Sequence, residues 1–388
     1  MIDFSVDEET RALRERVRDF LEAEVIPRER EVSAAPGRLD ELRRELQAAA
    51  RKADLFLPHL PLELGGLGLD WRALATVLEE AGRSLLGPLA LNASAPDEGN
   101  MHTLLHLATA EQRERYLLPL ARGEIRSCFA MTEPAPGAGS DPSLLLTGAR
   151  REGDRWIING TKWFTSGAEG AAFAIVLARA AEGPTLFLVE TENPGFRLRR
   201  SIPTMDTLVP GGHGEIDLVE CSVAADAVLG EVGKGFEHAQ LRLDPARLTH
   251  CMRWLGVAVR SMEIATRYAS ERESFGRSLA EHQAVQWMIA DSYTEIHAAR
   301  LMIWHAAWKL DRGERVRQEA SMTKVFVSET VNRVVDRALQ ICGALGVSED
   351  TPLSHFFREV RPFRIYDGPN EVHRMSIAQR VFRRELRP

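Results

Sequence analysis

From Phe236 onward, apolar residues recur at three- and four-residue steps over unusually long stretches, and this periodicity restricts the chain more than any other feature. Between positions 279 and 310, Val285, Met288, Ser292, Ile296, Ala299, Ile303, Ala306 and Leu310 keep one helical face throughout, and Gly313 then supplies a stop. Three such segments of roughly 30 residues, each ~45 Å long at about 1.5 Å per residue, predict a bundle of long helices.

The rest of the chain has two other textures. From about Ser5 to Arg122 the pattern is helical with charged faces, and Asp7, Glu8 and Glu9 place carboxylates at the positive end of the first helix. Two loops are expected there, LPLELGGLGLD (60–70) and LNASAPDEGNM (91–101). From about Ser127 to Gly233, short β-rich runs at 155–158, 173–177, 185–189, 196–198 and 215–219 are bounded by turn formers. They predict a small antiparallel sheet or barrel, with Asn159-Gly160 as a hairpin turn because both residues tolerate positive φ. No internal repeat, low-complexity tract or linker interrupts this order.

Composition narrows the function classes. With 49 Lys and Arg against 56 Asp and Glu the net charge is −7, so no basic excess points to nucleic acid or an anionic membrane. The longest apolar run, 171–178, is too short to span a bilayer, and the acidic start MIDFSVDEET carries no targeting signal, so a cytoplasmic protein is expected. Four scattered cysteines, with no CxxC pair, predict neither a disulfide framework nor a structural zinc. His102 and His106 stand four apart, but Thr103 follows the first where an HExxH site needs Glu, and no metal is expected. No GxGxxG opens a βαβ unit, and GEVGKGF (230–236) lacks the ending of a P-loop, so neither a Rossmann site nor nucleotide hydrolysis is supported.

The segment CFAMTEPAPGAGSDP (128–142) is a loop stiffened by Pro and Gly that offers backbone N–H groups together with the Thr132 and Ser140 hydroxyls. Such a loop could hydrogen-bond a planar heterocycle and a nearby phosphate, although composition alone reads it as a turn-rich connection. With KWFTSGA (162–168), RESFGRSLAEHQAVQ (272–286), QICGALG (340–346), RIYDGPNEVHR (364–374) and LPLELGGLGLD, it resembles the ordered motifs of the acyl-CoA dehydrogenases. The resemblance covers essentially the whole chain, and APDEGNM and DGPNEVH look most like the subgroup that in animals is fused to a kinase-like domain. It implies an α+β, mostly helical fold: an N-terminal helical domain (1–126), a middle antiparallel β-barrel domain (127–234) and a C-terminal long-helix bundle (235–388).

The resemblance also implies the chemistry, FAD-dependent α,β-dehydrogenation of an acyl-CoA thioester. A carboxylate takes the α-proton as a hydride leaves the β-carbon for flavin N5. Asp367 matches the base; Asp-Gly alone is a turn signal, and only its setting in RIYDGPNEVH gives it this role. Aspartate replaces the usual glutamate, which shortens the reach by about 1.5 Å, so the substrate must sit deeper or the backbone must advance. Desolvation beside thioester and flavin should raise the pKa of this base. The position used for the base in other subfamilies is Ala246 here, and Glu371 is the nearest backup carboxylate. The Asp367 N–H and a ribityl hydroxyl would support the developing enolate.

By the same resemblance, Phe129, Met131, Thr132, Gly139, Ser140, Phe164, Thr165 and Ser166 belong to the flavin site, with Met131 and Thr132 at the pyrimidine end and Ser166 at the N5 edge. Phe164 stands where the family usually has Trp, which leaves an aromatic wall without an indole donor. Arg272, Ser274, Phe275 and Gln283 would reach another subunit's FAD, while Gln340, Gly343 and Gly346 would allow close backbone approach to its adenosine half. Ala344 and Pro369 depart from the pattern, Glu371 takes the place of a cofactor contact, and the 128–142 loop is two residues longer than the commonest form. Ser140, Asp244, Arg247 and Asn100 are the implied acyl-CoA contacts, although Asp244 and Arg247 equally suit a local ion pair. Electron-transfer flavoprotein as electron acceptor and a homo-oligomer, a dimer of dimers, complete the expectation. Two alternatives stand beside it: an oxidase of the same superfamily, acyl-CoA or nitroalkane oxidase-like, and a catalytically silent flavoprotein scaffold.

Overall fold

The computed structural model describes residues 4–34 and 36–383. It forms two compact units, Met1–Ser33, Leu69–Ala90 and Arg247–Pro388 in the first, and Ala34–Gly68 and Leu91–Ala246 in the second. The fold is the mostly helical α+β arrangement the sequence implies, a central sheet with helical segments before and after it in the chain.

In the first unit, Asp7 caps the helix Glu8–Phe20 by accepting the Thr10 N–H at 2.7 Å. Asp70 does the same for the helix Trp71–Ala81, taking the Ala73 N–H at 2.7 Å. The long periodic segments become the helices Gly235–Glu271, Gln283–Asp311 and Arg317–Cys342, followed by Leu353–Val360 and Asn370–Phe382. The first of these long helices begins in the second unit and continues into the first. The helix expected from 279 starts at Gln283, because Ser278 and Glu281 form a capping box over a short 3₁₀ turn. Gly313, at φ 71°, ends that helix as expected. The unit's core is aliphatic and aromatic, including Leu255, Met262, Ile303, Val331, Phe356 and Phe363. Two helices meet backbone to backbone: a Cβ on Gly256 would lie 2.0 Å from the Glu79 carbonyl oxygen, and one on Gly82 1.9 Å from that of Arg253.

The second unit is built on a seven-stranded sheet. Its strands are β1 (Ser127–Ala130), β2 (Gly148–Glu152), β3 (Arg155–Ser166), β4 (Phe173–Ala180), β5 (Gly183–Glu190), β6 (Phe196–Ser201) and β7 (His213–Ala224). The order is β1-β4-β2-β3-β7-β6, with β5 on the other side of β4. Most pairings are antiparallel, but β1 and β2 each meet β4 in parallel. Trp156, Ile158, Val176, Phe187, Ile216 and Leu218 fill one face.

Two expectations are corrected here. Asn159-Gly160 is no hairpin: β3 runs straight through it, with a register shift against β7 between Ile158 and Gly160. The hairpin turn lies earlier, at Gly153 (φ 62°) between β2 and β3. Asn159 instead donates from its amide to Glu220 and accepts the Glu220 N–H, both at 2.8 Å, which fixes a bulge. The second predicted loop is also shorter than 91–101, since the helix Asp97–Leu107 takes its later half. Asp97 accepts the Ser127 N–H and hydroxyl, so the carboxylate ties that helix to β1. The four cysteines are buried and form no disulfide.

Candidate active site

In the first unit the Asp367-Gly368 turn is gripped through its backbone. Asp367 has φ 53° and Gly368 φ 93°, so two consecutive residues lie in the left-handed region. For a non-glycine residue that costs about 1–3 kcal/mol unless neighbours enforce it. They do. The Asp367 carbonyl accepts from Arg247 Nε at 2.9 Å and from His373 Nε2 at 3.1 Å, and the Gly368 carbonyl accepts from Lys324 Nζ at 2.8 Å. Lys324 reaches Asn370 Oδ1 as well, at 2.9 Å, and Asn370 is braced by Ser328 and Glu329.

Electrostatics agree with these directions. His373 donates from Nε2, and burial, aided by the Arg247 charge, pushes its pKa down to about 4, so it holds the turn as a neutral ring. Burial likewise lowers the Lys324 ammonium to about 8, against the opposing pull of Asp367. The Asp367 carboxylate itself meets His250 Nε2 at 3.0 Å, with the side chains 16% and 12% exposed. The His250 ring lies 5.1 Å from the Tyr366 ring and 5.9 Å from that of Phe363, and the Tyr366 hydroxyl accepts from Trp254 Nε1 at 2.6 Å. Arg247, His250 and Trp254 stand three and four residues apart on one helix, hence on one face.

A motif-based reading singles out none of His250, Lys324, His373 and Trp254; the spacing groups His250 and Trp254 with Arg247 on one helix face but does not bring that face to Asp367. Ala246, the alternative base position, is a buried alanine. Glu371 is exposed in the first turn of the helix Asn370–Phe382, so its carboxylate does not share the Asp367 setting.

In the second unit the expected flavin residues gather around the end of β1 and the bulged end of β3. Phe164 sits in a break of register between Lys162 and Thr165, at φ 48°, with its ring 46% exposed and 5.0 Å from that of Trp163. Thr132 is joined to this strand through its carbonyl, which accepts the Trp163 N–H at 3.0 Å. Ser166 Oγ lies 2.9 Å from His213 Nδ1, and His213 Nε2 lies 3.0 Å from Asp206 Oδ2, so a histidine–carboxylate pair orients the hydroxyl. Beneath them Lys162, fully buried, donates to the Met131 carbonyl at 3.0 Å and to Glu133 at 2.9 Å.

These residues fit a planar heterocycle. Thr165 Oγ1 is buried with no hydrogen-bond partner, an exposed aromatic face stands beside it in sequence, and a Cβ on Gly139 would meet nothing within 4 Å. Gly139 and Ser140 are exposed, and Phe129 lies under the Arg242 guanidinium at 4.3 Å. Asn100 is fully buried, and its amide donates to Ser127 Oγ and accepts from Arg242 Nε, both at 2.9 Å. Asp244 is half-buried in the first part of its helix.

The remaining expected cofactor residues fall in other elements of the first unit. Arg272, Ser274 and Phe275 belong to a two-stranded hairpin, Glu273–Ser274 with Arg277–Ser278, whose tip carries Phe275 at 95% exposure; Gln283 begins the following helix. Gln340 and Gly343 are exposed at the end of the helix Arg317–Cys342. Gly346 is buried, and a Cβ there would fall 2.5 Å from the Leu339 carbonyl oxygen, so close approach to the preceding helix already requires the glycine. Among the described residues, no helix is long and apolar enough to cross a membrane, and no group of three or more His, Cys, Asp or Glu side chains could hold a metal ion.

Comparison with known proteins gives a consistent result. The chain matches the families described as acyl-CoA dehydrogenase N-terminal domain over residues 7–124, middle domain over 128–209 and C-terminal domain over 233–382. It is 38% identical to a Mycobacterium tuberculosis protein named "Probable acyl-CoA dehydrogenase FadE2", across 99% of this chain and 98% of that one. It is 36% identical to acyl-CoA dehydrogenase family member 11 of Gallus gallus, across 94% of this chain but only 49% of that protein, so it spans about half of that relative's length. The solved butyryl-CoA dehydrogenase of Megasphaera elsdenii superimposes with a TM-score of 0.86 at 28% identity, covering 98% of this chain and 100% of that one.

Proposed function

The chain belongs to the acyl-CoA dehydrogenase family, and from that premise we propose that it desaturates an acyl-CoA thioester, Asp367 removing the α-proton. The observation that carries this reading is the Asp367-Gly368 turn, held in left-handed backbone by Arg247, His373 and Lys324 around a mostly buried carboxylate. Conformational strain of this kind persists where a side chain must be aimed. FAD, when bound, supplies the hydride acceptor. Met131, Thr132, Phe164, Thr165 and Ser166 would hold its ring, the exposed Thr/Ser-bearing loop after β1 its neighbouring phosphate.

The protein's own part of the reaction is electrostatic and positional. Asp367 carries a carboxylate that takes the proton, and its backbone N–H would support the thioester oxygen as negative charge develops there. Arg247 and Lys324 fix the two carbonyls of the turn, so the N–H and the carboxylate keep one relative orientation. Water exclusion follows from the same packing, with Phe363 fully buried beside the turn and Tyr366 tied to Trp254.

Electron-transfer flavoprotein is the acceptor we propose, and a homo-oligomer the working form. The exposed Phe275, at the tip of its hairpin, and the exposed Trp287 on the next helix support a subunit contact. The likeness to acyl-CoA dehydrogenase family member 11 supports placement in that subgroup.

The test is anaerobic mixing of the purified holoprotein with a panel of acyl-CoA thioesters, read as bleaching of the flavin band. Asp367→Asn should retain FAD and bind a thioester yet leave the flavin oxidised. Near-native bleaching by that variant removes Asp367 from the chemistry.

A further inference from the structure

Ser166 and His213 are direct partners across the antiparallel pair β3–β7, so sheet register brings the hydroxyl and the imidazole together. Arg126 secures the segments beside both residues, donating to the Gly167 carbonyl at 3.2 Å and to the Pro210 carbonyl at 3.0 Å. The backbones pass closely there, since a Cβ on Gly211 would lie 2.2 Å from the Glu169 carbonyl oxygen.

The direction of each hydrogen bond follows from the outermost partner. Burial alone would raise the Asp206 carboxyl, but the His213 ring and the Thr204 hydroxyl hold it below the usual carboxylate value, so it is an anion that only accepts. His213 Nε2, 3.0 Å from Asp206 Oδ2, must therefore carry a hydrogen. A neutral ring then has a bare Nδ1, to which the Ser166 hydroxyl donates at 2.9 Å. A hydroxyl has one hydrogen. With that hydrogen given to His213, Ser166 offers a ligand lone pairs alone. The His213 and Asp206 side chains are 13% and 12% exposed, so water competes little for the bond between them.

We propose that His213 and Asp206 are positioning residues that make Ser166 an acceptor-only group at the N5 edge of FAD, favouring the reduced flavin. The proposal rests on Ser166 meeting that edge. Oxidised N5 only accepts, so it faces lone pairs against lone pairs. Reduced N5 carries a hydrogen and donates to Ser166 Oγ. The change belongs to the proposed reaction: the β C–H pair reaches N5 as hydride, the α-proton goes to Asp367, and N5 turns from acceptor to donor. A fixed acceptor at this place raises the flavin potential and makes the loaded protein a stronger oxidant of its thioester.

The midpoint potential of the bound flavin, titrated against a reference dye at one fixed pH, tests this without turnover. His213→Phe frees the Ser166 hydrogen for oxidised N5. It should move the equilibrium about three- to tenfold toward the oxidised form, the worth of one hydrogen bond. For a two-electron couple that is a fall of ~15–30 mV, at ~30 mV per tenfold. Ser166→Ala should also lower the potential, and adding His213→Phe to it should change nothing further, because the ring acts through the hydroxyl. Should His213→Phe fail to fold, Asp206→Ala decides alone. It keeps the ring but releases its tautomer, so the potential should again fall, whereas loss of a negative charge by itself would raise it. The apoprotein gives an independent reading: nitrogen NMR shifts of the His213 imidazole should show Nε2 protonated and Nδ1 bare, and Asp206→Ala should mix the two tautomers. A wild-type ring with Nδ1 protonated, or the same fall on adding His213→Phe to Ser166→Ala, would overturn the proposal. If Ser166→Ala keeps the native potential and flavin spectrum, Ser166 is not at the flavin edge and the proposal falls with that reading. A shifted Ser166→Ala beside native potentials in His213→Phe and Asp206→Ala overturns the positioning role alone.

Discussion

Lys162 Nζ lies 2.9 Å from the carboxylate of Glu133, and the two side chains are 0% and 2% exposed. Around this pair the loop after β1 is folded back on itself. Glu133 accepts the backbone N–H groups of Ala138, Leu146 and Thr147 at 3.1, 2.7 and 2.8 Å, while Lys162 also holds the Met131 carbonyl. One ion pair thus shapes the segment proposed to receive the flavin ring.

The pair makes acid stability a test of this arrangement. Burial alone would raise the Glu133 carboxyl, but hydrogen bonds from Thr147 and Leu146 and the Lys162 charge outweigh it and hold the pKa at about 2, below the ordinary 4.5. Because the folded-state value is depressed, the unfolded chain binds the proton first. The stabilisation is therefore complete above pH 4.5 and lost as the pH falls toward 2. Glu133→Gln should lower stability at neutral pH by about 3–5 kcal/mol, the cost of leaving a buried partner charge uncompensated. It should also flatten the dependence of the melting temperature on pH across that window. A variant whose melting temperature tracks the wild type throughout would contradict this assignment.

Lys324 does for Asp367-Gly368 what Lys162 does for the β1 loop. Replacing it by methionine keeps the length but leaves the Gly368 carbonyl and Asn370 Oδ1 without their shared donor. Asn370 Oδ1 keeps the Ser328 hydroxyl, so Lys324→Met should cost about 1–3 kcal/mol of stability for the Gly368 carbonyl left without its donor. Flavin reduction should slow by about 10²-fold if the turn aims the base. Stopped-flow reduction and thermal melting of the same preparation measure the two effects, and a melting loss with native reduction would show that the turn needs no lysine to aim it.

The long helices and the strand segments were legible because their periodicities are burial patterns, and burial is what the fold then realised at Ile296, Ile303, Val176 and Leu218. The position of Asp367 could be found only through resemblance, since Asp-Gly by itself signals a turn, and it does form one. What surrounds Asp367 was not legible. Lys324 and His250 come from helices that reach the turn only after packing, and local pattern carries no record of such distant meetings. Asn159-Gly160 shows the opposite failure, a strong local signal overruled by its neighbours. A Cβ on Gly160 would lie 2.5 Å from Thr147 Oγ1 and 2.7 Å from Thr147 Cα, so the glycine serves close approach between backbones rather than a chain reversal.

That reassignment has a measurable consequence. A hairpin glycine replaced by alanine would strain a solvent-exposed turn, whereas Gly160→Ala must push β3 away from Thr147 within a closely packed sheet. The expected loss is about 1–3 kcal/mol, the usual cost of overpacking. Gly153→Ala is the comparison, since it meets nothing within 4 Å and strains only its positive φ of 62°. Urea unfolding of both should rank Gly160→Ala as the more damaging; the reverse order would restore the turn to 159–160.

The exposed hairpin tip supplies the test of assembly. Phe275 has φ 56° and Gly276 φ 79°, so a large aromatic residue adopts left-handed backbone while 95% of its surface stays outside the chain. Strained backbone of this kind costs about 1–3 kcal/mol, and within the chain the ring meets that of His282 edge-on at 6.4 Å, a contact that leaves it almost wholly exposed. Contact with a second copy would offset that cost, because an exposed aromatic anchor gains most when a partner pocket desolvates it. Phe275→Ser should therefore shift sedimentation of the holoprotein toward smaller species and loosen FAD, with the melting temperature of the apoprotein unchanged. If the wild type sediments as a monomer at micromolar concentration with its full complement of FAD, the hairpin has some other task, and the shared-cofactor arrangement must be abandoned along with it.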